Sequence, residues 1–182
     1  MNRRETTKSK SSLRVPLAYF ITYHTYGTWL HGDKRGSMDR KFFNEVNGPR
    51  MPHRPNLENT ERESMAHPTM ILTGQMRAVV MEAIREVCRH RGYRLLALNI
   101  RSNHVHIVVS SSARPEQVMN TFKAIQTRKL REQDLIGANA KVWVRHGSTR
   151  YLWTDMQVGG AINCVVFGQG DDLPDENWTY GF

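Results

Sequence analysis

The chain is short of cysteine, short of acid and without any long apolar run. Its two cysteines, Cys88 and Cys164, cannot build the disulfide framework that small secreted domains use. No apolar stretch approaches the ~20 residues of a membrane-spanning helix. Met1 to Lys10 is polar and basic and lacks the apolar centre of a secretory leader. These absences predict a cytoplasmic protein with no membrane partner. Acid is the other shortage: 17 Asp and Glu face 26 Lys and Arg, a net charge of +9. With a pI of about 9.9, that excess is the footprint of a polyanion binder, nucleic acid first among the candidates. A basic protein that merely stays soluble is the plainer alternative.

What is present fits one globular domain. The 182 residues are 39% apolar and 24% charged, enough to bury a real core. Residues 1–14 carry Arg3, Arg4, Lys8, Lys10 and Arg14 against Glu5 alone, and read as a disordered basic arm. Residues 15–182 then form a single domain. Val15 to Leu30, dense in aromatic and β-branched residues, reads as the first strand. Residues 31–69 show no period and read as a long surface excursion. Thr73 caps a helix to about Arg91, with Met76, Val79, Val80, Ala83, Ile84, Val87 and Cys88 on one face and Gly92 as its stop. Cys88 on that face belongs to the core.

Tyr93–Ile100 and His104–Ser110 read as a hairpin joined by Arg101-Ser102-Asn103. Pro115 opens a helix to about Gln133. Its surface carries Lys123, Arg128, Lys129 and Arg131, which is either a solvated face or a phosphate-contacting one. Lys141 to Trp153 is strand-like, with a turn at Gly147. Asp155 begins a last helix whose apolar face holds Val158, Ala161, Ile162, Val165 and Val166, weakened by Gly159 and Gly160. The acidic segment 171–182 ends in Trp178, Tyr180 and Phe182. The resulting order predicts an α+β, ferredoxin-like antiparallel sheet with helices on one face and the other face open.

The chemistry concentrates at Asn103-His104-Val105-His106. In a strand, residues two apart project from the same face, so His104 and His106 stand side by side. Two neighbouring imidazoles hold a divalent metal if a third ligand arrives from elsewhere. Taken alone the spacing is weak, since a strand with two polar residues on its open face looks the same.

Several blocks resemble the single-tyrosine HUH transposases, in the insertion-sequence-200-like, REP-associated branch. They are Tyr19 to Asp33 (YFITYHTYGTWLHGD) with Arg35-Gly36-Ser37, then Asn103 to His106, Trp143 to Trp153, and Gly168-Gln169-Gly170. The resemblance spans roughly residues 15–175. It implies a protein that cuts and rejoins single-stranded DNA beside small imperfect hairpins. It implies Mg²⁺ or Mn²⁺ on His104, His106 and a third polar residue from the last helix, for which Gln169 is the best candidate. It also implies a tyrosine on that helix that attacks the phosphate and leaves a 5′-phosphotyrosine and a free 3′-OH. Arg101, Asn103, Lys123, Arg128, Lys129, Arg145 and Arg150 are the candidate DNA contacts. A homodimer and a monomer are equally open.

One position departs from that pattern. Relatives of this branch carry the tyrosine where this chain has Cys164, within Ala161-Ile162-Asn163-Cys164-Val165. Helical geometry puts Cys164 off the apolar face. A thiol is shorter than a phenol by several ångströms, and a misplacement of about 1 Å already costs ~100-fold. Strand cleavage through a covalent link is therefore expected to be impaired. Tyr151 is the fallback nucleophile, and Cys164 acting itself is the third possibility. Two further readings are a non-catalytic hairpin binder and a small His-x-His metalloenzyme unrelated to nucleic acid.

Overall fold

The computed structural model of the chain describes residues 15–37, 49–170 and 178–180. The expected basic arm, residues 1–14, lies outside them, as does the acidic run 171–177. Nine elements follow one another among the described residues: β1 (Ala18–His24), α1 (Pro55–Glu63), α2 (Gly74–Arg91), β2 (Arg94–Ile100), β3 (His104–Ser110), α3 (Pro115–Glu132), β4 (Ser148–Leu152), α4 (Asp155–Phe167) and β5 (Trp178–Tyr180). The strands form one sheet in the order β4-β1-β3-β2-β5, every neighbouring pair antiparallel. With α2 and α3 as crossovers, the first four sheet strands have the ferredoxin-like arrangement. The α+β expectation holds. β3, the histidine strand, lies at the centre of the five.

Alternation along the strands sorts the side chains between two faces. On one face Tyr19, Ile21, Tyr23, Val105, Ile107 and Val109 join Val80 and Ile84 of α2 and Val118 and Phe122 of α3 in the main core. Each fully buried aliphatic or aromatic side chain there contributes about 1.5–3 kcal/mol. Both helices end where the sequence puts their signals. Thr73 accepts from the Met76 N–H, and Gly92 takes the left-handed φ of 67° that closes α2; Pro115 sits in the first turn of α3. Cys88 is buried in this core.

The other face is not open, which corrects the expected architecture. Ala161 and Val165 of α4 pack on Ala18, Ala97, Val108 and Leu152. Two small residues in the sheet, Ala18 and Ala97, leave room for the helix backbone. The buried Asn99 amide fastens it by donating to the Val165 carbonyl (3.1 Å). α4 starts at Thr154, whose hydroxyl accepts from the Gln157 N–H. The helix covers the β2 side of this face and stops short of the histidines.

Three further boundaries differ. The first strand ends at His24 rather than Leu30, because Gly27 turns the chain with φ 74°. The long excursion contains α1, a helix with no buried residue and hence no apolar stripe to read. The strand expected from Lys141 begins only at Ser148; before it, the chain touches the sheet through an isolated bridge between Thr25 and Trp143. The terminal segment does return to the sheet, as β5 against β2.

Candidate functional site

His104 and His106 project from the α4 face of β3, at its N-terminal end. Antiparallel pairing sets His24 of β1 across from His104 and Thr22 across from His106. The turn before β3 is pinned by its own backbone. The Asn103 carbonyl accepts from the Thr25 N–H (2.9 Å), the Thr25 hydroxyl (3.2 Å) and the Thr28 hydroxyl (3.3 Å). The two imidazoles therefore leave a rigid base, their ring centres 4.6 Å apart.

Their ring nitrogens are already assigned to partners. Nδ1 of His106 hydrogen-bonds the Thr22 hydroxyl at 2.7 Å. Nδ1 of His104 lies 2.7 Å from Asn103 Oδ1, an oxygen that only accepts, so that nitrogen carries the proton. Nε2 of His104 is left with its lone pair, and it faces Gln169 Oε1 at 3.3 Å. Gln169 is held that way round because its amide nitrogen donates to the Cys164 carbonyl at 2.7 Å. A nitrogen lone pair and an amide oxygen thus point at each other. They do not bond to one another, but a cation between them satisfies both.

The imidazoles are held neutral. Burial, reinforced by the charge of its neighbours His104 and His24, pushes His106 down to about 3. Burial likewise lowers His24 to about 4, with His104 and Arg35 adding to it. His104 is lowered by burial too, opposed by the Gln169 amide oxygen, which favours a protonated ring. Neutral imidazole is the metal-binding form, and the second-partner bonds to Thr22 and Asn103 are the kind that orient such ligands. The donor set of two imidazoles and an amide oxygen fits a divalent ion such as Mn²⁺ or Mg²⁺. Among the described residues no group of three or more His, Cys, Asp and Glu side chains is placed to hold a metal, so any such site depends on the Gln169 amide.

The other expected residues divide by face. Cys164 is exposed on α4, one turn before Gln169, and its carbonyl is the acceptor that orients that side chain. Tyr151 is on the wrong face to substitute for it. It pairs with Tyr19 in the register of β1 and β4, and its ring meets Tyr19 edge-on at 5.2 Å, on the side away from the histidines. Arg101 and Asn103 form the turn beside the site, and Arg150 pairs with Phe20 on the histidine face. Arg145 is exposed next to Val144, whose N–H donates to the His24 carbonyl (3.1 Å). Arg128 and Lys129 lie on α3, behind the sheet, beside Glu132 and Glu86. Lys123 is not a surface residue. It is 8% exposed, donates to the carbonyls of Val144 (3.1 Å) and His146 (3.0 Å), and burial brings it down to about 8. It ties α3 to the segment before β4.

Sequence reasoning missed His24 and Thr22. His24 stacks edge-on against Trp29 at 4.4 Å and lies 5.4 Å from His104. The signal was present in the i, i+2 alternation of β1, but the strand register that brings it to β3 was not.

Residues 67–155, just under half of the chain, match the family described as Transposase IS200 like. The match takes in α2, the β2–β3 hairpin, α3 and β4; Cys164 and Gln169 lie beyond it. Among solved structures, one described as the REP-associated tyrosine transposase bound to a REP hairpin is similar with a TM-score of 0.48 and 9% identity, over 87% of this chain and 70% of that one. A crystal structure from Deinococcus radiodurans R1, described as a transposase by assignment, is similar with a TM-score of 0.47 and 10% identity, over 85% of this chain and 92% of that one. No curated protein matches the chain. No helix among the described residues is long and apolar enough to cross a membrane.

Proposed function

We propose that this chain acts on single-stranded DNA beside small imperfect hairpins, as a strand-transfer protein whose metal-binding half is assembled and whose nucleophile half is defective. The observation that carries the proposal is the convergence of His104 Nε2 and Gln169 Oε1 at 3.3 Å, with His106 alongside and Cys164 bonded through its backbone to the same glutamine. A bound Mg²⁺ or Mn²⁺ supplies Lewis-acid polarisation of a phosphate. The protein's own part is to hold two neutral nitrogens and one amide oxygen in place, and to present residue 164 beside them.

A tyrosine at 164 attacks the scissile phosphorus through its oxygen. A new P–O bond forms, the bond to the 3′ oxygen breaks, and that oxygen leaves as a free hydroxyl. Energy is stored in the phosphotyrosine link, so rejoining needs no nucleotide triphosphate. Cys164 has neither the reach nor the oxygen. Incubated with single-stranded hairpin DNA and Mn²⁺, the natural chain is expected to give no covalent adduct on a denaturing gel, while Cys164→Tyr gives one, a gain of at least ~100-fold. An adduct on the natural chain sinks the claim of a defective nucleophile.

The second reading, a non-catalytic hairpin binder, is favoured by the exposed position of Cys164. Loss of the tyrosine there leaves the packing intact and with it the basic nucleic-acid surface. Cys164→Tyr that binds hairpins yet forms no adduct decides for this reading.

A further inference from the structure

The block Gly27-Thr28-Trp29-Leu30-His31-Gly32-Asp33 with Arg35-Gly36 builds an ordered wall beside the histidines that the proposed chemistry leaves unused. Its scaffold is internal. Trp29 Nε1 donates to the Gly36 carbonyl at 3.0 Å. Gly32 and Gly36 take φ of 86° and 80°, and a Cβ at Gly32 would lie 2.6 Å from the Arg54 carbonyl, so the loop admits no side chain there. Asp33 is 6% exposed and receives the Arg35 N–H (2.9 Å) and Nε (2.8 Å). The same guanidinium also donates to the Thr28 carbonyl. Arg35 is thus locked in position, yet its side chain stays 41% exposed.

A second guanidinium joins it. The bridge between Ser37 and Met51 brings Arg50 back over the loop. The Arg35 and Arg50 guanidinium carbons lie 5.1 Å and 5.3 Å from the centre of the Trp29 ring, and Trp29 stands edge-on to His24 in the site. A buried carboxylate that fixes one arginine, and an indole that gathers two, are more than a loop needs to stay folded.

Resting on the single-stranded DNA reading, we infer that Arg35 and Arg50, gathered on Trp29, form a phosphodiester-binding subsite that grips the single strand flanking the scissile phosphate. Guanidinium matches phosphate in planar, bidentate geometry. Fixing it in advance removes much of the ordering cost of binding.

The test measures affinity for a DNA hairpin with and without a single-stranded flank, across a salt series. The proteins compared are the natural chain, Arg50→Ala, Arg35→Lys and the control Arg89→Ala. Arg89 sits on α2 behind the sheet, paired with Glu82, and its loss changes net charge by the same unit. For the flanked hairpin, Arg50→Ala is expected to weaken binding roughly tenfold and reduce the magnitude of the salt slope by about 0.7, the value of one lost contact to a single strand. Arg35→Lys keeps the charge but loses the fork, and is expected to weaken flanked binding while leaving the unflanked hairpin unchanged. Natural-chain binding with Arg50→Ala and Arg35→Lys indistinguishable from Arg89→Ala overturns the subsite and leaves the proposed function standing. No binding of either DNA by the natural chain removes both. Since Arg50 is a surface residue, its variant keeps the test open if Arg35→Lys fails to fold.

Discussion

The two faces of the sheet are made from the same strands by the same alternation, yet they do opposite work. Behind the sheet, Tyr19, Ile21, Tyr23, Ile107 and Val109 meet two amphipathic helices and are almost wholly excluded from water. In front, Thr22, His24, His104 and His106 share the surface with a single helix that covers only part of it. On the back face Lys123 is buried and donates to carbonyls, and the Gln126 amide nitrogen donates to Tyr23, while Gln126 Oε1 and Trp143 Nε1 are buried there without a partner among the described residues. The front face keeps lone pairs pointed at each other and an imidazole nitrogen, His24 Nδ1, buried without a partner among the described residues. What sets the front face apart is convergence, with His104 Nε2 and Gln169 Oε1 facing each other at 3.3 Å beside a second imidazole, which is the mark of a site rather than a core.

The contrast can be broken by substitution. Phe122→Ala, behind the sheet, is expected to cost about 3–5 kcal/mol, read as a lowered denaturant midpoint. His106→Ala, in front, is expected to shift that midpoint far less but to weaken Mn²⁺ binding by ~100-fold or more, measured by calorimetry without any DNA. Equal stability losses for the two would dissolve the distinction between the faces. Asn99→Ala removes the amide that holds α4 and strands the Val165 carbonyl; a loss of about 1–3 kcal/mol is expected. Faster amide exchange in α4 than in α2 would locate that loss.

The contrast also shows in the response to pH. His24 has an ordinary value of 6.5 and is held at about 4 in the fold; His106 is held at about 3. Below 6.5 the unfolded chain takes up protons that the folded chain refuses, so stability is full at neutral pH and declines as pH falls. The decline runs from about 6.5 to the folded values and then levels off. Replacing His24 with Asn should flatten part of it, and an unchanged profile would mean that His24 is not buried as a neutral ring.

Much of this was readable from sequence where one residue pattern meets one structural outcome. The 3.6-residue period of α2, with Thr73 before it and Gly92 after, gave its limits almost to the residue. The His-x-His spacing gave two side chains on one face, and helical angles placed Cys164 off the apolar stripe. The failures share a cause: they depend on which surface lies opposite. α4 is apolar around most of its circumference, so its pattern does not say which face of the sheet it covers. A lysine on a basic helix looks solvated, and only the approach of the 144–146 carbonyls makes Lys123 an interior residue. Tyr151 and Arg150 are neighbours in sequence, and the register of β4 against β1 alone decides which one shares a side with the histidines. α1 has no buried residue at all, so nothing in its pattern distinguished it from loop.

The central place of β3 has a consequence for how this site ages. A strand bonded on both sides in the middle of five opens only when the whole sheet does, so its amides should exchange at the rate of global unfolding. The histidine pair is accordingly as durable as the fold itself. Residues 164 and 169 sit at the tip of the last helix, where the chain can fray without disturbing its foundation. A single substitution at that tip leaves the histidine pair and the sheet beneath it intact.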